Sequence, residues 1–173
     1  MGQLDQVATI KLEGWERLER AMQTAPAVVD AELKAFTAAA LMFLEGEVKD
    51  RTPQGAHGHL AQSVTSEAGG GLADGILGVV SSALPYAIPV ELGTKPHMPP
   101  ILPLMEWVQH KLGAGKNMNE IESIARRIAW KIKHHGTKGA FMFKGAFDAG
   151  QDEVKRQFLA TMNRILTRVE GTA

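Results

Sequence analysis

The sequence has no cysteine, which removes disulfide staples, thiolate metal sites and any cysteine nucleophile at once. It also has no net charge at neutral pH and only one tyrosine. Its longest mainly apolar run, Ala35 to Leu44, is half the ~20 residues that a membrane-spanning helix needs. The start Met-Gly-Gln-Leu-Asp shows no basic-then-apolar export layout, so the expected place of synthesis is a cytoplasm. What is present is ordinary for a folded globular chain: 45% hydrophobic and 22% charged residues over 173 positions. That length fits a single domain over residues 1–173, with its stability drawn from packing and assembly.

The zero net charge conceals an asymmetry. The stretch before Tyr86 is rich in Asp and Glu, and the stretch after it is rich in Lys and Arg. Such polarity suits head-to-tail contacts between copies, while the plainer account is a scatter of charges over a solvated surface.

Hydrophobic periodicity sets out the elements. Val7, Thr9 and Lys11 alternate with Ala8, Ile10 and Leu12, which predicts a short strand within Asp5 to Leu12. Trp15 to Gln23 reads as a brief helix. Pro26 then opens a longer one, running to Lys49, on whose core stripe lie Val29, Leu33, Phe36, Ala40, Leu44 and Val48. Pro53, Gly55 and Gly58 make a loop of Thr52 to Leu60. Leu60 to Ala68 and Ile76 to Ser82 are β-prone runs, joined by Gly69 to Gly75 as a long flexible hairpin tip.

Tyr86 to Leu92 fits a helical turn or a strand, and Gly93 to Pro100 reads as an exposed proline-rich loop. Two amphipathic helices follow, Ile101 to Leu112 and Asn119 to His134, then the aromatics Phe141, Phe143 and Phe147. A final helix spans about Asp148 to Val169. The fold class expected is α+β: a small antiparallel sheet packed against long N- and C-terminal helices, with a helical pair inserted at about 101–136 into a core of about 1–100 and 137–173.

Chemistry is sparse. His57 and His59 invite a metal reading, yet no third ligand stands nearby in the sequence, and two solvated imidazoles on a glycine-rich loop are the simpler account. His134 and His135 suit the negative end of a helix dipole. Triad, phosphate-loop and paired-acid patterns are all missing, so no catalytic, metal or cofactor residues are assigned and a non-enzymatic protein is expected. A metal-assisted hydrolase using His57 and His59 is the weakest of the readings. From Lys111 to Lys144 the chain is basic. Arg126, Arg127, Lys131 and Lys133 there would either meet DNA phosphates or form the wet side of an amphipathic helix backed by Ile124, Ile128 and Ile132.

Three fragments taken in order carry more. They are Thr52-Pro53 with Gly58, Leu60 and Ser63; then Tyr86-Ala87 with Val90, Glu91, Leu92, Gly93 and Thr94; then the proline-rich loop. In this order the chain resembles the HK97 gp10-like family of tailed-phage proteins over roughly Val28 to Pro100. The loop through Gly55 and His57 is longer than the family's usual one, and the helices from Ile101 to His134 look inserted.

The resemblance implies a structural neck protein: a tail-completion or tail-terminator subunit joining the tail tube to the head connector in the virion. Such a subunit would work as a homo-oligomeric ring, six-fold by analogy with phage tails, meeting tail-tube and head-closure proteins and, in the channel, genomic DNA. Thr52, Pro53, Gly58, Leu60, Tyr86, Glu91, Gly93 and Thr94 become the interface candidates. Glu91 would either pair with a neighbour's cation or bond local N–H groups. The alternative function is a small nucleic-acid-binding module using the Lys111 to Lys144 surface.

Overall fold

The computed structural model describes residues 15–55, 57–71, 73–112 and 116–172; the strand expected in Asp5 to Leu12 lies outside them. Two long helices form the spine. The first, α1 (Trp15–Arg51), spans 37 residues, about 55 Å at the usual rise. The expectation of two helices meeting at Pro26 is corrected, because the proline stands inside one continuous helix. Its ring removes one backbone bond and crowds the preceding turn. It sits on the exposed side between alanines, where water can take the freed carbonyl and strong helix formers carry the turn across.

The last helix, α6 (Met142–Thr172), lies along α1. Phe36 and Phe158 meet edge to face with ring centroids 5.5 Å apart. A side chain at Gly150 would come within 2.9 Å of Leu44 and 3.1 Å of Phe43, so that glycine sets how closely the helices approach. Glu32, largely buried on α1, is bracketed by Arg164 at 3.1 Å and Arg168 at 2.7 Å on α6. The helix starts six residues before the expected Asp148, so Phe143 and Phe147 belong to its first turns.

Between the long helices the chain makes a short turn α2 (His59–Gln62), strands β1 (Val64–Gly71) and β2 (Gly75–Ser82), and α3 (Ala87–Leu92). The strand expected from Leu60 begins only at Val64. Left-handed Gly58, at φ 67°, precedes one helical turn that buries Leu60 instead. The expected span of the tip, Gly69 to Gly75, is also corrected: β1 and β2 pair without a break from Val64 opposite Ser82 to Gly71 opposite Gly75. Glycine is what permits the pairing at Gly70, where φ is 84° and a side chain would lie 2.0 Å from the Gly75 carbonyl oxygen. The hairpin lies on α1, with Gly78 held against Leu41 and Val64 fully buried. Below it Val48, Leu60, Val64, Ala87, Met142 and Ala146 form the main core.

The Tyr86 to Leu92 ambiguity resolves to helix α3. The proline-rich loop opens with a two-residue strand, β3 (Gly93–Thr94), before becoming irregular. Next come α4 (Ile101–Leu112) and α5 (Met118–His135), both within a residue of their predicted bounds. Asn117 and Glu120 cap α5 reciprocally through side-chain to backbone bonds of 3.0 and 3.1 Å. These two helices bury their own cluster of Val108, Ile121 and Ala125, rimmed by Ile101, Leu104, Ile124 and Ile128. The pair is an arm with a private core. It returns to the body through β4 (Thr137–Lys138), which pairs antiparallel with β3.

Candidate functional site

The residues that carry the resemblance meet at one joint. At the end of α1 the Thr52 hydroxyl donates to the Val48 carbonyl at 2.6 Å and lies 3.3 Å from the sulfur of Met142. That ties the last turn of α1 to the first residue of α6. Pro53 is exposed just beyond, and Leu60 is buried in the core. Ser63 bridges the Leu60 carbonyl and the Ser82 hydroxyl, both at 2.7 Å.

Glu91 is the centre of the joint. Its carboxylate oxygens accept the backbone N–H groups of Phe143 at 2.9 Å and Lys144 at 3.0 Å. These are donors in the first turn of α6 that have no partner inside the helix. The carboxylate therefore caps that helix from a distant part of the chain, and its charge suits the positive end of the helix dipole. Of the two roles foreseen for Glu91 it takes the one within the chain, with N–H partners 52 and 53 residues away. Backbone bonds from Ala140 to Val90 and from Phe141 to Glu91 continue the staple. Phe141 takes a left-handed φ of 50°, which lets the chain turn into α6 beneath the cap.

Glycines make this closeness feasible. A Cβ at Gly93 would stand 2.3 Å from the Thr137 carbonyl oxygen, one at Gly139 2.4 Å from that of Glu91, and one at Gly136 2.0 Å from that of Thr94. Thr94 completes the ladder through its N–H and hydroxyl, each 3.0 Å from the Thr137 hydroxyl. Of the interface candidates, Thr52, Leu60, Glu91, Gly93 and Thr94 thus spend their bonding or packing inside the chain, while Pro53 and Tyr86 face outward.

The charge asymmetry is softened in three dimensions. On α1, Asp30 pairs with Lys34, Glu45 with Lys49 and Glu47 with Arg51, each one turn apart. Hydrogen bonds from Lys49 first and Ser66 second hold the Glu45 carboxyl below its ordinary pKa. On the arm Arg126 grips Glu122 at 2.6 and 2.8 Å. Arg127, Lys131, Lys133 and Lys138 make no ion pair among the described residues and face solvent.

Two features go beyond the sequence expectations. His110 of α4 stands beside the loop histidines, its ring centroid 6.0 Å from that of His57, which is 5.4 Å from His59. Even so, no group of three His, Asp or Glu is placed to hold a metal ion among the described residues. Trp130 of α5 stands outward, 61% exposed, with the His134 ring 4.4 Å from its own. The signal in the sequence is its i±3 and i±4 spacing to Arg126, Arg127, Lys133 and His134, which sets an indole among the charges of this stretch.

Chemically, the joint holds and aligns chain segments. No protein-family model, curated protein or solved structure matches the chain.

Proposed function

We propose that this chain is a structural subunit of a phage neck or tail-completion ring, non-enzymatic and assembled from copies of itself. The observation that carries the reading is the surface left uncovered beside the joint. Among the described residues the β1–β2 sheet has two strands, so neither outer edge has a strand partner there. On β2 the outward residues are Leu77 and Val79, and on α3 beside it Ile88 and Leu92 are about two-thirds exposed. A groove lined by Val80, Ser82, Ile88, Leu92 and Phe143 runs between the strand and the helix.

An open strand edge beside apolar side chains is what a neighbouring subunit would cover. The spatial convergence of Thr52, Glu91, Gly93 and Thr94 supports the same reading. It gives the order and spacing of the resembling fragments a structural reason, the making of one rigid joint behind that surface. A body of this size encloses no DNA-wide channel alone, so the function requires a cyclic assembly with heterologous contacts.

Light scattering of the purified protein across concentrations, with imaging of any large species and then addition of a tail-tube protein, tests this. A closed ring, alone or on the tube, is the expected outcome. A strict monomer indifferent to tail components overturns it.

A further inference from the structure

We propose that the outward face of α5 binds single-stranded nucleic acid, with Trp130 as a stacking platform and Arg127 and Lys133 as its phosphate contacts. The inference is independent of the ring reading, since it needs only the arm.

Helical spacing places Asn119, Ser123, Arg126, Arg127, Trp130, Lys133 and His134 on one side of α5, opposite the buried Ile121, Ala125 and Ala129. Residues of α5 alone line the shallow hollow beside the indole: Asn119, Glu122, Ser123, Arg126, Arg127 and Trp130. Among the described residues no other element lines this hollow, and the face extends about 22 Å along the helix axis. Glu120 is engaged in the cap of α5 and Glu122 in its pair with Arg126, so Arg127 and Lys133 have no acidic partner among the described residues. The electrostatic complement of such a face is a polyanion.

The indole decides which polyanion. A protein hot spot needs its tryptophan inside a ring of neighbours that exclude water. Here the residues one turn before and after Trp130 are Arg126, Arg127, Lys133 and His134, all polar and all exposed. A wet indole set among cations is instead what sequence-tolerant single-strand binding uses, with bases on the ring and phosphates on the flanking charges. Duplex DNA would offer the phosphates but keep its bases stacked on one another, away from the indole.

Fluorescence anisotropy of the full-length chain with labelled oligothymidylate, and with a duplex of equal length, provides the test. Expected are preference for the single strand, affinity that falls steeply with salt, and a loss of about fivefold to a hundredfold on Trp130→Ala with much of it restored in Trp130→Phe. Arg127→Gln with Lys133→Gln should flatten the salt dependence by about two phosphate contacts, while Lys155→Gln on α6 leaves binding unchanged. Circular dichroism checks that each variant is folded. No binding at low salt overturns the proposal. So does binding that Trp130→Ala leaves intact, or equal binding of heparin and oligothymidylate, either of which would make the face a general polyanion or acidic-protein surface.

Discussion

The Glu91 carboxylate accepts the backbone N–H of Phe143 at 2.9 Å, so a residue in the last turn of α3 also caps the start of α6. Helix caps usually come from the residue next to the helix. Here the cap comes from far away in the chain, and it fixes the relative position of two segments as well as satisfying donors.

Removing that cap should therefore cost more than a local one. Glu91→Ala is expected to destabilise the fold by about 1–2 kcal/mol, since it leaves two N–H groups, that of Phe143 partly buried, without their acceptor. For a chain of this length that is a fall of several degrees in Tm. Glu91→Gln, which keeps one acceptor oxygen and loses the charge, should fall between the two. Urea unfolding followed by circular dichroism measures both; an alanine variant as stable as the parent would show that the cap contributes nothing.

The glycines of the β3–β4 ladder should separate sharply from a glycine in open space. Gly136→Ala would put a Cβ 2.0 Å from the Thr94 carbonyl oxygen at a φ of 67°. A loss above about 1 kcal/mol is expected from the strained backbone alone. Gly46→Ala, inside α1 with nothing within 4 Å of the new Cβ, should stabilise by about 0.5–1 kcal/mol. Opposite signs in the two unfolding midpoints are the outcome to look for, and equal shifts would contradict the geometry.

Acid should weaken the joint between α1 and the hairpin through Glu45. Its carboxyl pKa lies below the ordinary 4.5 in the folded state, because Lys49 and Ser66 bond the ionised form. A depressed folded pKa contributes stability that is fully present above the unfolded value. That contribution is lost as pH falls below 4.5 and through the folded pKa. Glu45→Gln should accordingly lose stability at neutral pH and show a shallower decline in acid than the parent. Parallel pH profiles would rule out this linkage.

How much of this was visible in the sequence differs by element. Helices α4 and α5 were legible because Leu104 and Val108, then Ile121, Ala125 and Ile128, repeat at helical spacing inside a core the two helices build for themselves. The spine helix α1 is legible in its apolar stripe but not at Pro26, a local break signal that the flanking helix formers carry the chain across. Leu60 was taken for a strand residue because its hydrophobicity says only that it is buried. Gly69 to Gly71 read as a loose tip, whereas cross-strand partners at Gly75 to Leu77 make them a strand. Glu91 and His110 depended on groups about fifty positions away, which no local pattern encodes. The sequence singles out Thr52, Glu91 and Gly93 as interface candidates, and their gathering into one joint belongs to the fold alone.

The arm enters and leaves the body across a single pair of facing threonines, Thr94 and Thr137, which exchange hydroxyl and backbone bonds. Chain ends that close together can be joined by a short turn, so the segment between them can be exchanged as a unit by a replacement that fills its place beside His57. Excising it leaves the staple at Glu91, the main core and the hairpin untouched, and a different arm could be fitted to the same socket. The body and the arm are thereby free to change under separate demands, the one by the neighbours it must fit and the other by whatever its exposed helix must touch.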